Sequence, residues 1–244
     1  MFWLVAERFR SESTAKPDQL EQCLTPDSCV HPDAALLTDL FEDGVQTAAS
    51  ALHDRSADLM PAERELIRGV AQKRKREFAT GRQLARQLLE GLGHPDFPLL
   101  RDPDRVPIWP SDVVGSISHK ERLCVVAVAS IRDRAGLGID IEPDQPVTPG
   151  LEQRICLPSE QAWAAAEGPS EIGRRCRAVF SVKEAVYKAF FPRVREVWGF
   201  HDVEVSIDLA RESFLASLPA TAERAHVEGR IFRREGWILS GVEY

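Results

Sequence analysis

The alternation of apolar and polar residues divides the chain into helical and extended stretches. Apolar residues recur at nearly helical spacing from Pro61 to Leu92, which predicts one long helix or two helices interrupted near Thr80 or Gly81. A second helical pattern runs from Cys176 to Phe191, and a shorter one covers residues 158–167. These segments supply the helical part of the predicted fold.

Extended segments follow the first helical pattern and recur at the end of the chain. Residues 123–129 form a continuous apolar run typical of a buried strand, and LGIDIE (137–142) follows after a turn, so we expect a hairpin. The tail predicts further strands in VEVSIDL and in a closing hairpin formed by RIFRR and WILSGVEY. Residues 1–10 alternate loosely, as in a strand, whereas residues 95–111 hold five prolines and predict an irregular loop. This order of elements indicates two α+β lobes that meet near residue 134.

Composition limits the classes of protein to which the chain can belong. Its 244 residues suffice for one large domain or two lobes without disulfides, and a net charge of −7 argues against general affinity for nucleic acid. The five cysteines are odd in number and form no CxxC pair, which is typical of reduced thiols. No apolar run approaches the length of a membrane span, and charged residues come early at the N-terminus. We therefore expect a soluble cytoplasmic protein without a membrane partner.

Two carboxylates interrupt the apolar segment GIDIE. Side chains alternate across a strand, so Asp140 and Glu142 share one face while Ile139 and Ile141 point to the other. Adjacent carboxylates repel unless a cation lies between them, and oxygen ligands favour a hard ion such as Mg²⁺. The alternative is an edge strand whose polar face is solvated.

Two further motifs place polar groups where they can serve a site. In FSVKEAVYKAF (180–190), Glu184 and Lys188 are four residues apart and share a helix face, although such pairs are also common on exposed helices. In GSISHK (115–120), Ser118 and His119 lie at a junction between a loop and a strand, where their polar groups can converge on an anion. A histidine of this kind can equally be a structural residue.

Basic residues are concentrated in the first helical segment and the loop that follows it. Guanidinium groups are well suited to binding phosphates, and the alternative is a solvated basic face. The sequence contains no GxxxxGK[ST], GxGxxG, GxSxG or HExxH motif, which argues against the common nucleotide-binding folds and hydrolases. The basic residues concerned are Lys73, Arg74, Lys75, Arg76, Arg82, Arg86, Arg101 and Arg105.

Taken in order, KRKREFATGRQLAR, WPSDVVGSISH, GIDIE and FSVKEAVYK resemble the motifs of the 4′-phosphopantetheinyl transferases, in particular the surfactin and enterobactin synthase class. The resemblance covers Lys73 to Phe190. It implies a monomer with a pseudo-two-fold pair of α+β lobes, each a small antiparallel sheet packed with a long helix, and an active site in the cleft between them. We place the lobes at residues 1–133 and 134–244. One departure is Phe180, where many members have tryptophan.

The resemblance also implies a reaction. The phosphopantetheine arm of coenzyme A would be transferred to a serine of an apo acyl or peptidyl carrier protein, with Mg²⁺ (or Mn²⁺) bound and adenosine 3′,5′-bisphosphate released. Glu184 would accept the serine proton, and Lys188 would stabilise the leaving phosphate. The implied metal ligands are Asp140, Glu142 and Glu184. The implied coenzyme A contacts are Arg74 or Lys75, Arg82, one of Arg101 and Arg105, Ser118, His119, Lys183 and Lys188.

Two other functions remain open on the sequence alone. The protein could hydrolyse the pyrophosphate of coenzyme A without any carrier, or it could be a catalytically silent module that binds coenzyme A or carrier proteins. The sequence does not identify the natural carrier, which could belong to fatty acid, polyketide or nonribosomal peptide synthesis. It assigns no role to residues 11–60.

Overall fold

The computed structural model describes residues 32–244, so the strand predicted in residues 1–10 lies outside the described residues. Over the described range the chain forms short 3₁₀ helices at Pro32–Leu37 and Ser56–Asp58. The α-helices are α1 Pro61–Glu65, α2 Gln72–Gly91, α3 Glu152–Ile155, α4 Pro158–Ala165 and α5 Ile172–Val194. The strands are β1 Gln46–Ala51, β2 Val113–Lys120, β3 Leu123–Ser130, β4 Leu137–Pro143, β5 Glu204–Asp208, β6 Ser213–Ser217, β7 His226–Arg234 and β8 Trp237–Glu243.

The first helical pattern is interrupted, but earlier than the sequence suggested. Helix α1 ends at Glu65 and α2 begins at Gln72, and between them Gly69 has a φ of +74°, which an α-helix does not accommodate. Gly81 instead lies within α2, where a β-carbon would come 3.2 Å from the Ile117 side chain. The glycine therefore serves close packing of α2 on β2 rather than a break in the helix.

Two antiparallel sheets organise the fold. The first has strand order β1-β3-β2 and the second β4-β8-β7-β6-β5. The predicted hairpin of β3 with β4 is wrong, because β4 pairs with β8 across a register that sets Asp140 opposite Ser240. The closing hairpin of β7 and β8 is confirmed.

Each sheet packs against one long helix, which confirms the α+β class. Helix α2 covers the first sheet through Leu84, Ala85 and Leu89, which join the buried side chains of β3. Helix α5 covers the second sheet with an apolar face that includes Val182 and Phe190. The boundary between residues 133 and 134 falls in the turn between β3 and β4, and it stays a prediction.

The two halves share a hydrophobic core. Leu123, Val125 and Ala127 of β3 belong to one buried cluster with Ile139 and Ile141 of β4, so apolar contact is continuous from one sheet to the other. On the other face of β4 lie Asp140 and Glu142, each only 1% exposed. β4 is an edge strand of its sheet, but its polar face is buried, so the solvated polar face considered for these carboxylates is excluded.

Two further expectations can be compared with the described residues. Cys124, Cys156 and Cys176 are free and buried, in agreement with reduced thiols, whereas Cys23 and Cys29 lie outside this range. Within residues 32–244, no helix combines the length and the apolar character that crossing a bilayer would need.

Candidate active site

Helix α5 approaches strand β4 unusually closely at Gly138. A β-carbon at this position would lie 1.9 Å from the carbonyl oxygen of Ala185, well inside van der Waals contact. The absence of a side chain lets the helix backbone rest on the strand. Glu184 directly precedes Ala185 on the helix, and Lys188 follows it by three residues. The contact at Ala185 therefore brings both side chains toward the polar face of β4.

Asp140 lies at the centre of a small network of hydrogen bonds. Its Oδ1 accepts hydrogen bonds from Lys188 Nζ at 2.7 Å and from Ser118 Oγ at 2.9 Å. Lys188 Nζ also donates to Ser118 Oγ at 2.9 Å and to the Ile139 carbonyl at 3.1 Å. The side chains therefore join β2, β4 and α5 at one point.

Glu142 is neutralised by two cations. Its Oε2 lies 3.0 Å from Lys120 Nζ and 2.8 Å from Nη1 of Arg177. Arg177 is anchored further by a 2.9 Å hydrogen bond to the Pro146 carbonyl. Both carboxylates of β4 thus face basic groups from β2 and α5, which allows two charges to remain buried side by side.

Glu184 is the third carboxylate of this region: it is 2% exposed and lies one helical turn before Lys188 on α5. Its negative charge also acts on the hydroxyl of Tyr187, which lies three residues further along α5. Burial raises the pKa of the Tyr187 hydroxyl, and the negative charge of Glu184 raises it further. Tyr187 therefore stays a neutral phenol over the physiological pH range.

The three carboxylates can be compared with the ligands that a magnesium ion requires. Among residues 32–244, no three acidic, histidine or cysteine side chains form a preassembled metal cluster, so the structure differs from the expectation of three carboxylates facing one ion. The donor chemistry nevertheless fits, because Asp140, Glu142 and Glu184 supply oxygens only. In addition, Oδ2 of Asp140 is buried and makes no hydrogen bond within the described residues. A buried oxygen of this kind is suited to a cation.

A pocket of about 350 Å³ is linked to the carboxylates by Lys188, which lines the pocket and bonds to Asp140. Its walls come from α2, the loop 101–107, β2 and the last turns of α5, so both halves of the molecule contribute. The predicted coenzyme A contacts that line it are Arg74, Arg82, Arg101, Arg105, His119 and Lys188.

Arg74 and His119 are held together on one wall of the pocket. Nη1 of Arg74 lies 2.8 Å from Nε2 of His119 and 3.2 Å from Oε2 of Glu77. Because the guanidinium can only donate, Nε2 accepts and the imidazole proton is assigned to Nδ1, which lies 3.8 Å from the same Glu77 oxygen. Glu77 thus positions Arg74, which in turn holds His119.

Arg82 is a nearly buried guanidinium at the base of the pocket. Its Nε donates to the Leu99 carbonyl at 2.7 Å, and its guanidinium carbon lies 4.2 Å from the centre of the Phe78 ring. Burial lowers the pKa of Arg82 to about 10, and the positive charges of Arg101 and Arg74 lower it as well. A bound anion would relieve this repulsion between cations.

The loop between α2 and β2 presents two more arginines. Arg101 and Pro107 pair across the base of the loop, and Arg105 at its tip has a φ of +67°. Arg101 also donates to the Leu66 carbonyl at 3.3 Å. Both arginines line the pocket, so both are available to bind a phosphate.

Three predicted cofactor contacts lie elsewhere. Lys183 is a correction: its Nζ is buried and donates to Glu160 at 2.7 Å and to the carbonyls of Ile155 at 3.0 Å and Phe200 at 2.7 Å, on the side of α5 that faces α4. Ser118 is bonded to Asp140 and does not line the pocket, and Lys75 does not line it either. Of the pair Arg74 or Lys75, the structure favours Arg74.

Sequence reasoning missed several residues of this region. Lys120 continues the alternation of Ser116 and Ser118 along β2, so the period of two could have placed it opposite the carboxylates. Arg177 lies seven residues before Glu184, two helical turns away on the same face of α5. Glu77 lies one turn from Arg74 on α2.

Comparison with known proteins agrees with this geometry. Residues 62–129 match the model of the 4′-phosphopantetheinyl transferase N-terminal domain, and residues 136–239 match that of the 4′-phosphopantetheinyl transferase superfamily. The chain is 36% identical over 191 residues to 4′-phosphopantetheinyl transferase Svp of Streptomyces mobaraensis, covering 75% of this chain and 78% of that one.

Two other relatives extend the comparison. The transferase Npt of Nocardia iowensis is 30% identical over 223 residues, 86% of this chain and 100% of its own length. Enterobactin synthase component D of Salmonella austin is 31% identical over 193 residues, 79% of this chain and 78% of that protein. The chain therefore belongs to the 4′-phosphopantetheinyl transferase superfamily. It is an enzyme of the surfactin and enterobactin synthase type, as the motifs predicted.

Proposed function

We propose that this enzyme transfers the 4′-phosphopantetheine arm of coenzyme A to a serine of an apo acyl or peptidyl carrier protein and releases adenosine 3′,5′-bisphosphate. The observation that carries the proposal is the pocket lined by four arginines and Lys188, because Lys188 also bonds to Asp140, one of three buried carboxylates. Cationic walls suit a substrate with several phosphates. The adjoining carboxylates suit a reaction that needs a metal ion and a base.

The basic residues would bind and orient coenzyme A. Arg74, Arg82, Arg101 and Arg105 would bind its phosphates, with His119 positioned by Arg74. Orientation of this kind contributes to the rate by holding the pyrophosphate in line with the attacking hydroxyl. Lys188, at the edge of both the pocket and the carboxylates, would stabilise negative charge on the leaving phosphate.

The acidic residues would supply the metal site and the base. Asp140, Glu142 and Glu184 would hold Mg²⁺ or Mn²⁺, which when bound neutralises charge developing on the phosphates. Glu184 would accept the proton of the carrier serine, directly or through water, as its hydroxyl oxygen attacks phosphorus and the pyrophosphate bond breaks. The departing oxygen leaves as part of adenosine 3′,5′-bisphosphate.

The proposal also covers where the enzyme acts, its oligomeric state and the position of its active site. We infer that the enzyme acts as a cytoplasmic monomer of two lobes, residues 1–133 and 134–244, with the active site in the cleft between them. Small acidic carrier proteins would approach this cleft, where complementary charge favours encounter. No role for nucleic acid or a membrane is proposed.

The experiment is intact-mass spectrometry of apo carrier proteins incubated with the enzyme, coenzyme A and MgCl₂, with and without a chelator. We expect the carrier to gain the mass of one phosphopantetheine arm, and we expect the gain to disappear with the chelator. Asp140→Asn and Glu184→Gln should abolish the gain while circular dichroism shows an intact fold. Full activity in both variants would contradict the assigned ligands.

A control without carrier separates the other functions. Coenzyme A consumed in the absence of carrier would indicate pyrophosphate hydrolysis. Coenzyme A bound but never consumed, with fatty acid, polyketide and peptide carriers all unmodified, would indicate a binding module. Either result would overturn the proposed transfer.

A further inference from the structure

Asp102 lies where the loop that carries Arg101 and Arg105 meets the end of α5. Its Oδ1 accepts the backbone N–H of Val106 at 2.9 Å, and its Oδ2 accepts a hydrogen bond from Nη1 of Arg195. The Asp102 backbone also bonds to its own loop, with N–H to the Val106 carbonyl at 3.0 Å. The two carboxylate oxygens thus hold two different parts of the molecule, one in each half.

The guanidinium of Arg195 is oriented toward the carboxylate of Asp102 by its own local structure. It follows the last residue of α5 in a left-handed conformation with φ of +56°, and its Nε donates to the Pro192 carbonyl at 3.0 Å. The same Nη1 lies 3.5 Å from Asp104. Because the backbone and a local hydrogen bond already orient the guanidinium, less side-chain entropy is lost when the pair forms.

The pair joins two segments that line the pocket, although neither Asp102 nor Arg195 lines it. Loop residues from Pro103 to Pro107 line one side, and Lys188, Phe191 and Pro192 of α5 line the other. Although burial alone would raise the pKa of Asp102, hydrogen bonds from Arg195 and from the Val106 N–H hold it below its ordinary value. The carboxylate is therefore ionised at neutral pH, and the contact is an ion pair.

We propose that Asp102 is a positioning residue for coenzyme A: through Arg195 it fixes the loop 101–107 to the end of α5 and so holds Arg105 in the wall of the pocket. The inference rests on the proposed function, since it assumes that this wall binds the phosphates of coenzyme A. Asp102 itself does not touch the substrate. Its effect passes through the loop.

The substitution Asp102→Asn separates the two tasks of this side chain. The amide keeps an oxygen for the Val106 N–H but removes the charge that faces Arg195. General electrostatics predicts tighter binding of a polyanion when a nearby negative charge is removed. The proposal predicts the opposite sign: KM for coenzyme A rises about three- to five-fold, the size expected for a partly exposed ion pair, while kcat changes less than about two-fold.

Two companion variants test whether the effect runs through the pair. Arg195→Gln should raise KM similarly, and the double variant should be no worse than either single variant, since the same contact is lost. Arg193→Gln, two residues away, removes the same charge from an exposed arginine that pairs with Glu223, and it should leave KM unchanged. The ratio of variant to wild-type KM should shrink in 0.5 M KCl, because salt screens the pair.

The outcomes distinguish this inference from the proposed function. Calorimetric titration with coenzyme A should show the same three- to five-fold loss of affinity, so the inference is tested whether or not a carrier is modified. Unchanged or tighter binding in Asp102→Asn, or additive effects in the double variant, would overturn it. Failure of the wild-type enzyme to modify any carrier while the variants still lose affinity would overturn only the transfer reaction.

Discussion

Gly138 of β4 lies so close to Ala185 of α5 that a β-carbon on the glycine would come within 1.9 Å of the alanine carbonyl oxygen. The strand that carries Asp140 and Glu142 and the helix that carries Glu184 and Lys188 are in register because of this contact. The active-site geometry therefore depends on a residue that has no functional group. A glycine two positions before Asp140 is a packing requirement of the site.

Substitution of this glycine should be severe. In Gly138→Ala the new methyl group meets rigid backbone, so α5 must move away from β4, and we expect a loss of about 2–3 kcal/mol in the free energy of unfolding together with loss of transfer. Urea denaturation followed by circular dichroism measures the first effect. Gly91→Ala is the matched control, because its methyl group meets only the mobile end of Gln46 at 3.0 Å. Equal stability of the two variants would contradict this account.

Lys183 should contribute to stability and not to cofactor binding. Its ammonium is fully buried with Glu160, so Lys183→Met leaves an uncompensated buried carboxylate and should cost about 3–5 kcal/mol. Glu160 also accepts the backbone N–H groups of Leu157 and Val205, which Glu160→Gln can still satisfy in part. We therefore expect the double variant Lys183→Met with Glu160→Gln to be more stable than Lys183→Met alone, as measured by urea denaturation.

The kinetics of Lys183→Met distinguish the two roles. At a temperature where the variant is folded, KM for coenzyme A should match that of the wild type. A raised KM with unchanged stability would instead restore Lys183 as a phosphate contact. Lys75→Met, at a half-buried position of α2 that does not line the pocket, controls for the loss of one lysine charge.

The sequence was informative wherever a local period determines which way a side chain points. The alternation in a strand placed Asp140 and Glu142 on one face, and helical spacing placed Glu184 and Lys188 together. The same helical geometry explains the error over Lys183. Adjacent residues of a helix project about 100° apart, so Lys183 cannot share the face of Glu184.

Pairings between distant segments could not be predicted in this way. Strand β4 follows β3 after a short turn, which favoured a hairpin, but β4 pairs with β8 from the end of the chain. No local pattern specifies that partner. Local periods indicate the faces of β2 and α5 on which Lys120 and Arg177 lie, but they do not show that the two residues meet at Glu142. The contact of Asp102 with Arg195 likewise joins residues 93 positions apart.

The choice between Arg74 and Lys75 can be tested directly. Arg74 lines the pocket with His119, whereas Lys75 does not line it, so Arg74→Ala should raise KM for coenzyme A about ten-fold or more and Lys75→Ala should leave it within two-fold. Steady-state kinetics with varied coenzyme A at saturating carrier measures the difference. A larger effect in Lys75→Ala would show that α2 presents a different face to the cofactor.

Lys188 should act mainly in the transition state. Its ammonium lies at the junction of the pocket and Asp140, where charge develops on the leaving phosphate, so Lys188→Met should lower kcat about 10²- to 10³-fold with a smaller change in KM. Lys188→Arg keeps the positive charge but cannot place a compact ammonium between Ser118 and Asp140, and we expect an intermediate kcat. Single-turnover transfer to an apo carrier, followed by intact mass, measures the chemical step without product release. If Lys188→Met lost affinity for coenzyme A but kept the single-turnover rate, Lys188 would be a binding residue, and stabilisation of the leaving group would fall to the arginines of the pocket.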